Sequence, residues 1–355
     1  MYKKEKNLYK NVESNPNKYK FSFLNPKERK KAYIIILLFI FGLIITIFEM
    51  FGITNWHKVS VFSGAVDGIK VADTDFAVYY LDVGQSDCTI VVCDGEVMLI
   101  DTGSYPQLVD IQEALYTLEV DDIKYLVITH QHDDHMSCAE RLMGLYNIEN
   151  IVMPRLSDEN IVESETYNRL LHTIVTNKVN PIVSQEVDCL DLGSAKIDIL
   201  APQKQYKELN NMSTVIKITY GETSFLFQGD AESQVENDLL FSDYDLSADV
   251  LKLGHHGSKT ASTEKYLDAV NPNIAIISCG QGNPFGHPRV TVMEHLVKRD
   301  IDYYITVDNG DITVASDGKK LKCSHKSNQS MNFYSGFSGN THKNKVKIVK
   351  KYLQS

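Results

Sequence analysis

The stretch Tyr125–Ser137, YLVITHQHDDHMS, constrains this chain more than any other. Tyr125–Ile128 is a short apolar run of the kind that forms a buried strand. Directly after it come three histidines and two aspartates: His130, His132, Asp133, Asp134 and His135. Neutral imidazoles and carboxylates are good ligands for zinc and its first-row neighbours. A chain leaving a strand through a turn can bring several of them to one point. His130, His132, Asp134 and His135 fall in the pattern H-x-H-x-D-H and are the candidate metal ligands. Asp133 is expected to face solvent or brace the turn.

The surroundings indicate an α/β fold. FAVYYLDVG, CTIVVCDG and EVMLIDTG are β-rich runs bounded by Gly and Asp turns. Helices are expected near 107–118, 137–146, 163–177, 232–241, 262–270 and 289–299. They alternate with strands near 124–129, 149–153, 195–200, 213–220, 223–228, 248–253, 273–278 and 302–307. Strands that hairpin early and alternate with helices later predict sheets covered by helices on their outer faces. Six cysteines form no C-x-x-C pair, which argues against a thiolate zinc site. Cys88, Cys93 and Cys279 sit in or beside strand-like runs, where free cysteine behaves as a small hydrophobe.

H-x-H-x-D-H after a strand resembles the signature of the metallo-β-lactamase fold. LDVGQSDCTIV, LIDTGS, NNMSTVIKITYGETSFLFQGDAE, DVLKLGHHGSKTAS and NPFGHP are similar, in the same order, to blocks of the hydrolase domain of the ComEC DNA-uptake proteins. The resemblance covers about residues 76–320. It implies a four-layer αββα sandwich with two divalent metal ions, zinc foremost and manganese next. It also implies that His130 and His132 hold one metal, Asp134 and His135 the other, and that Asp230 of FLFQGD bridges them. One of His255 and His256 completes the second metal, with His256 preferred; the other is available to a substrate oxyanion. Lys259 follows, placed to meet an anionic oxygen. Asp101, Asp82 and Asp87 are expected to support ligands through hydrogen bonds. His287 lies in a Gly/Pro loop, where it would line a site rather than fill a core. Asp134, His255, His287 and Lys259 are the candidate catalytic groups.

Two departures matter. Many proteins of this fold place a third histidine between the His motif and the bridging aspartate. Here that stretch is ELNNMSTV, so Asn211 is the expected polar contact, and the first metal is expected to be held more weakly. The cysteine ligand expected after FQG in many β-lactam-cleaving members is also missing.

The chain ends carry a separate signal. Residues 32–48, AYIIILLFIFGLIITIF, contain no charged residue. Seventeen helical residues span about 25 Å, and a continuation to residue 54 would cross a membrane. Residues 1–31 carry ten Lys/Arg against three Glu, and residues 324–355 carry six Lys and no acid. The formal net charge is nevertheless −10, so the body between them is strongly acidic. The expected organisation is a basic cytoplasmic tail (1–31), a single transmembrane helix (32–54), a hydrolase domain (76–323) and a basic flexible tail (324–355). The positive-inside rule puts the hydrolase outside the cell. The expected function is a membrane-anchored binuclear metallohydrolase that acts on phosphodiesters or other anionic substrates by a metal-activated water. DNA is one such substrate, although an acidic body disfavours a long polyanion. The alternatives are a binding or regulatory module without turnover, a hydrolase of a small ester or lactone, and an iron-dependent oxidoreductase on the same fold. Nothing in the sequence sets the oligomeric state.

Overall fold

The structure is a computed structural model that describes residues 26–50, 69, 71–157 and 164–325. Strand β1 (Phe76–Tyr80) is buried at all of its positions. Phe76, Val78 and Tyr80 belong to one core cluster, whereas Ala77 and Tyr79 belong to another. Side chains alternate across a strand, so a strand buried on both faces needs a layer on each side.

The layers follow. The first sheet has the spatial order β15 (Leu321–His325), β14 (Ile312–Ser316), β1, β2 (Thr89–Cys93), β3 (Glu96–Ile100), β4 (Asp122–Val127), β5 (Asn147–Met153) and β6 (Asn180–Val183). The second has the order β13 (Asp302–Ile305), β12 (Ile274–Ile277), β11 (Val250–Lys252), β10 (Thr223–Phe227), β9 (Val215–Tyr220), β8 (Ala195–Ala201) and β7 (Cys189–Leu192). Between the sheets, Phe76 stacks on Tyr220 at 4.8 Å and lies 5.1 Å from Phe225. Outside the first sheet pack α2 (Leu108–Thr117), α4 (Ala139–Met143) and α5 (Glu165–Asn177), through Ile111, Leu115, Leu142, Leu170 and Ile174. Outside the second pack α6 (Ser233–Leu240), α7 (Glu264–Val270) and α8 (Val290–Lys298), through Val235, Leu239, Tyr266, Leu267, Val292 and Leu296. The result is a four-layer αββα sandwich.

β3 to β6 run parallel, as do β10 to β13. Parallel strands end on the same side, and ligands of such sheets bind outside the carboxyl ends of the strands. β4 leads into the His motif, β10 into Asp230 and β11 into His255–His256.

Of the helix expected over 137–146 only α4 forms; α3 (Asp133–Met136) lies before it, within the His motif. The Ser137 hydroxyl donates to Asp133 O, a local bond that competes with helix continuation. The expected strands omit β6, β7, β14 and β15; β6, β7 and β15 are sheet edges with mostly exposed or half-buried side chains, so they carry little apolar signal. β6 also contains Pro181, which a sheet edge tolerates. β15 reaches Ser324 and His325, residues assigned above to the basic tail.

The chain divides into two compact units, Met1–Val66 and Asp67–Ser355. In the first, α1 (Pro26–Met50) contains the apolar run. Within α1 the side chains of residues 30–44 and Thr46 are described. Among the described residues no helix is long and apolar enough to cross a membrane. Residues 1–25, 51–54 and 326–355, parts of the expected tails and span, lie outside the described residues.

The second unit hides a carboxylate that makes pH a stability variable. Glu236 on α6 is 1 % exposed and accepts from Gln228 Nε2 and from the backbone N–H groups of Ser262 and Thr263. Burial raises its pKa above the usual 4.5, against the pull of those donors. The folded state therefore binds the proton more readily than the unfolded one. Its contribution is complete below the unfolded pKa and falls as pH rises through the folded value. Glu236→Gln should remove that slope in the weakly acidic range. It should also cost about 1–3 kcal/mol at neutral pH, because the amide sets a donor against a backbone N–H. Urea unfolding at several pH values checks both; an unchanged slope would show that Glu236 does not titrate differently on folding.

Candidate metal centre

The His motif forms because β4 is followed by a turn whose backbone is bonded on several sides. Asp101, in the turn after β3, accepts at Oδ1 from Thr129 N at 2.8 Å and at Oδ2 from Thr129 Oγ1 at 2.8 Å. Asp101 Oδ2 also lies 2.8 Å from His135 Nδ1. That bond fixes the His135 proton on Nδ1 and turns Nε2 inward. Asp230 follows Gly229, whose φ is +53°; a Cβ there would stand 3.0 Å from Thr129 Cβ. Only glycine lets β10 deliver the aspartate so close to the His turn. The Asp230 N–H donates to Ser213 Oγ at 3.0 Å. His255 and His256 both have positive φ, 47° and 54°. Two successive non-glycine residues in the left-handed region are strained, as is frequent where function fixes the backbone.

Four donor atoms meet beneath this turn. His256 Nε2 is 3.3 Å from Asp134 Oδ2 and 3.8 Å from Asp230 Oδ1. His135 Nε2 is 3.8 Å from Asp134 Oδ2 and 3.5 Å from Asp230 Oδ1. A tetrahedral ion with bonds of about 2.0–2.2 Å keeps its ligand atoms about 3.3–3.6 Å apart. His135 Nε2, His256 Nε2 and Asp230 Oδ1 are buried without a hydrogen-bond partner. Buried polar atoms are seldom left so, and three together point to a ligand. His256 Nδ1 donates to Ser278 O at 3.0 Å, again leaving Nε2 as the free donor. The residues fit a divalent ion held by Asp134, His135, His256 and Asp230.

The charges support the same conclusion. Burial disfavours a charged imidazole at His135, but Asp230, Asp101 and Asp134 outweigh it and raise its pKa well above the usual value. His256 behaves likewise: burial lowers it, Asp230 and Asp87 raise it, and it reaches about 10. Burial raises Asp134, yet His135 and the bond to His256 bring it down to about 2. The carboxylates thus call for positive charge at this point, which a cation would supply.

Beside it lies a second donor group. His130 Nε2 and His132 Nδ1 are 2.9 Å apart, and His130 Nε2 is 4.0 Å from Asp230 Oδ2. His130 Nδ1 faces Ser213 Oγ at 3.3 Å. His255 Nε2 stands 3.9 Å from the same Asp230 Oδ2. His255 Nδ1 is held by Glu232 Oε1 at 3.0 Å and Thr260 Oγ1 at 3.2 Å. The anticipated contact from Asn211 does not form; its Oδ1 accepts from Glu232 N at 2.9 Å instead. Asn210 Nδ2 is the amide near the site, 3.4 Å from the His255 ring nitrogens.

The remaining candidates divide. His287 is brought in: it is buried, its Nδ1 has no partner, and its ring lies 5.5 Å from His255 and 6.5 Å from His256. Burial, then His255 and His256, lower its pKa to about 4. Asn283 clamps its backbone, donating to His287 O and accepting from His287 N. Phe285, 56 % exposed, stacks on the His287 ring at 5.6 Å. Lys259 is not brought in; it is exposed, and no described contact ties it to the centre. Asp133 is exposed. Glu232, Thr260, Asn210, Ser213 and Lys252 went unnoticed or unweighted in the sequence. Only Glu232, two residues after Asp230, carried a local signal.

Asp101→Asn should weaken metal binding about 10–100-fold, the usual effect of removing the partner that orients a ligating histidine. Metal titration of the purified protein reads this directly, and unchanged affinity would show that His135 is oriented without it.

An αββα sandwich with clustered His and Asp donors at the carboxyl ends of its parallel strands defines a metal-dependent hydrolase scaffold. Residues 81–281 match the family model of the metallo-beta-lactamase superfamily, and the chain belongs to that superfamily. Among curated relatives, "ComE operon protein 3" of Bacillus subtilis is 28% identical over 65% of this chain and 32% of its own length. "Recombination protein 2" of Haemophilus influenzae is 32% identical over 66% of this chain and 28% of its own. The chain therefore spans about a third of the length of these relatives. Among solved structures, the diiron β-hydroxylase CmlA from Streptomyces venezuelae aligns with 73% of this chain and 59% of its own, with 15% identity and a TM-score of 0.48.

Proposed function

We propose that the protein is a binuclear phosphodiesterase that cleaves nucleic-acid strands or their ends, carried on the outer face of the cell membrane. The observation behind this reading is the position of Asp230. Its Oδ1 faces His135 and His256, while its Oδ2 faces His130 and His255. One carboxylate addressing two donor groups suits two divalent ions, with zinc the first choice and manganese the second. Such a pair supplies a water nucleophile near neutral pH and stabilises charge on a phosphoryl oxygen.

The chain's own groups supply the rest. Glu232 and Thr260 hold His255 Nδ1, which fixes its proton there and leaves the Nε2 lone pair turned toward Asp230 Oδ2, where it would help hold a metal. His287, with its unpartnered Nδ1, can hydrogen-bond a phosphoryl oxygen from the opposite rim. Phe285 offers an open ring face on which a base can stack. A relative named for recombination favours a nucleic-acid substrate. An acidic body favours strand ends or short pieces over long duplexes.

The membrane placement rests on the uncharged run 32–48 and the basic residues before it. Apolar side chains along α1 are exposed, Phe39 at 74 % and Tyr33 at 66 %. A lipid phase would cover them.

The test is turnover by the full chain in detergent on bis-p-nitrophenyl phosphate, single- and double-stranded DNA, and nitrocefin. Metal-dependent cleavage of the phosphodiesters, lost by at least about 100-fold in Asp134→Ala, is the expected result. Cleavage of nitrocefin alone would reassign the enzyme to cyclic amides. Metal binding without turnover on any substrate would make it a binding module.

A further inference from the structure

Lys252 ends β11, four residues before His256, and is 2 % exposed. A lysine is almost never buried this deeply without a partner. Its Nζ lies 2.7 Å from Asp87 Oδ2 and 3.3 Å from Leu253 O. Asp87, 4 % exposed, comes from the first sheet's side of the sandwich, 165 residues away in the chain. The pair therefore joins the two halves directly behind the metal centre.

The carboxylate does more than accept from the lysine. Asp87 Oδ1 is buried, has no hydrogen-bond partner, and stands 3.4 Å from His256 Nδ1. The Asp87 backbone is fixed at the same place: its N–H donates to Asp134 O at 3.2 Å, and its carbonyl accepts from Gly103 N at 2.8 Å. One residue thus touches the ring edge of one candidate ligand and the main chain of another. His256 has an unfavourable backbone conformation, with φ 54° and ψ 27°. A ring on such a backbone needs outside contacts to stay aimed.

We infer that Lys252 and Asp87 are a positioning pair for the metal centre: Lys252 anchors the Asp87 carboxylate across the sheet interface, and that carboxylate lies against the Nδ1 edge of His256 beside its bond to Ser278 O, so that the proton stays on Nδ1 and Nε2 stays turned toward the metal. The inference rests on the metal-centre reading and not on the substrate. Neither residue touches the reacting atoms. A simple structural staple would explain the ion pair equally well but not the Asp87–His256 approach, and the two roles separate experimentally.

Equilibrium metal titration against a chromophoric chelator, with thermal unfolding of the metal-free protein, separates them. The variants are Lys252→Met, Asp87→Asn and the double substitution, all in the full chain. Each single change is expected to weaken one of two bound divalent ions about 10–100-fold, leaving the other in place. Lys252→Met should also lower the unfolding temperature, because it strands a buried carboxylate. The double substitution strands no charge, so it should recover thermal stability, while the weak ion stays weak. It also keeps the test open where Lys252→Met fails to fold. Recovery of stability and affinity together would overturn the inference and leave a staple. So would unchanged affinity in Asp87→Asn, or wild-type protein that binds no divalent metal. Two bound ions with the expected pattern, in a protein that cleaves no phosphodiester, would uphold the pair while removing the proposed substrate.

Discussion

Asp230→Asn is expected to abolish paired metal binding and to lower turnover by more than about 100-fold, beyond the effect of losing a residue that only orients a ligand. The substitution keeps shape and removes the charge. Asp230 is 2 % exposed, and both of its oxygens face histidine nitrogens at 3.5–4.0 Å. Burial alone would raise its pKa, but His135, His256 and His130 hold it well below the usual carboxylate range. An amide offers one neutral oxygen where the two donor groups each need an anionic one. The backbone bond from Asp230 N to Ser213 Oγ is independent of the side chain, so the turn should survive. Elemental analysis, turnover and circular dichroism on the same sample test this. Two ions per chain in folded Asp230→Asn would show that the carboxylate does not bridge.

Phe225→Ala should cost about 3–5 kcal/mol of stability. Phe225 is fully buried between the sheets, at 5.1 Å from Phe76, which itself stacks on Tyr220. Removing the ring leaves a cavity bounded by strands on both sides. Sheets locked by their own ladders cannot collapse far into it, so both the transfer and the cavity costs should appear. A urea midpoint that falls while the slope stays constant is the expected signature. A loss below about 1 kcal/mol would show that the interface repacks. Metal affinity of the folded variant should stay near wild type, since the centre lies at the strand ends and not in this layer.

The two predictions differ in how far the sequence announced them. His130, His132, Asp134 and His135 fall within six residues, and a strand followed by a turn suffices to bring them together. Asp101 and Asp230 were legible for a related reason: each ends a readable apolar strand. Most helices covering the sheets also stood out, because an amphipathic face of two or three turns is a long signal. Four short strands did not. The helix expected over 137–146 is shorter, Ala139–Met143, and a separate helical turn that carries Asp134 and His135 precedes it.

Other parts were invisible for a different physical reason. His255 looked like a spare ligand or an oxyanion donor. Its approach to Asp230 Oδ2 follows from the left-handed backbone at both His255 and His256, and from Glu232 and Thr260 closing on its ring. Asn211 was the natural guess for a polar contact, but the turn points it at the Glu232 backbone and turns Asn210 toward the site instead. Lys252 read as an ordinary strand residue until Asp87 arrived from the other side of the sandwich.

The sequence by itself determined the family, the layered α/β scaffold and the local ligand run, because each is written in contiguous residues whose spacing and polarity act over a few ångströms of chain. Only the tertiary structure decided how those ligands divide around Asp230, which histidine stands on each side, and what braces them. Those outcomes depend on side chains 23 to 165 positions apart meeting in a dry interior. There an unpaired charge or an unsatisfied donor is costly enough to fix one arrangement, and no local pattern records which partner will satisfy it.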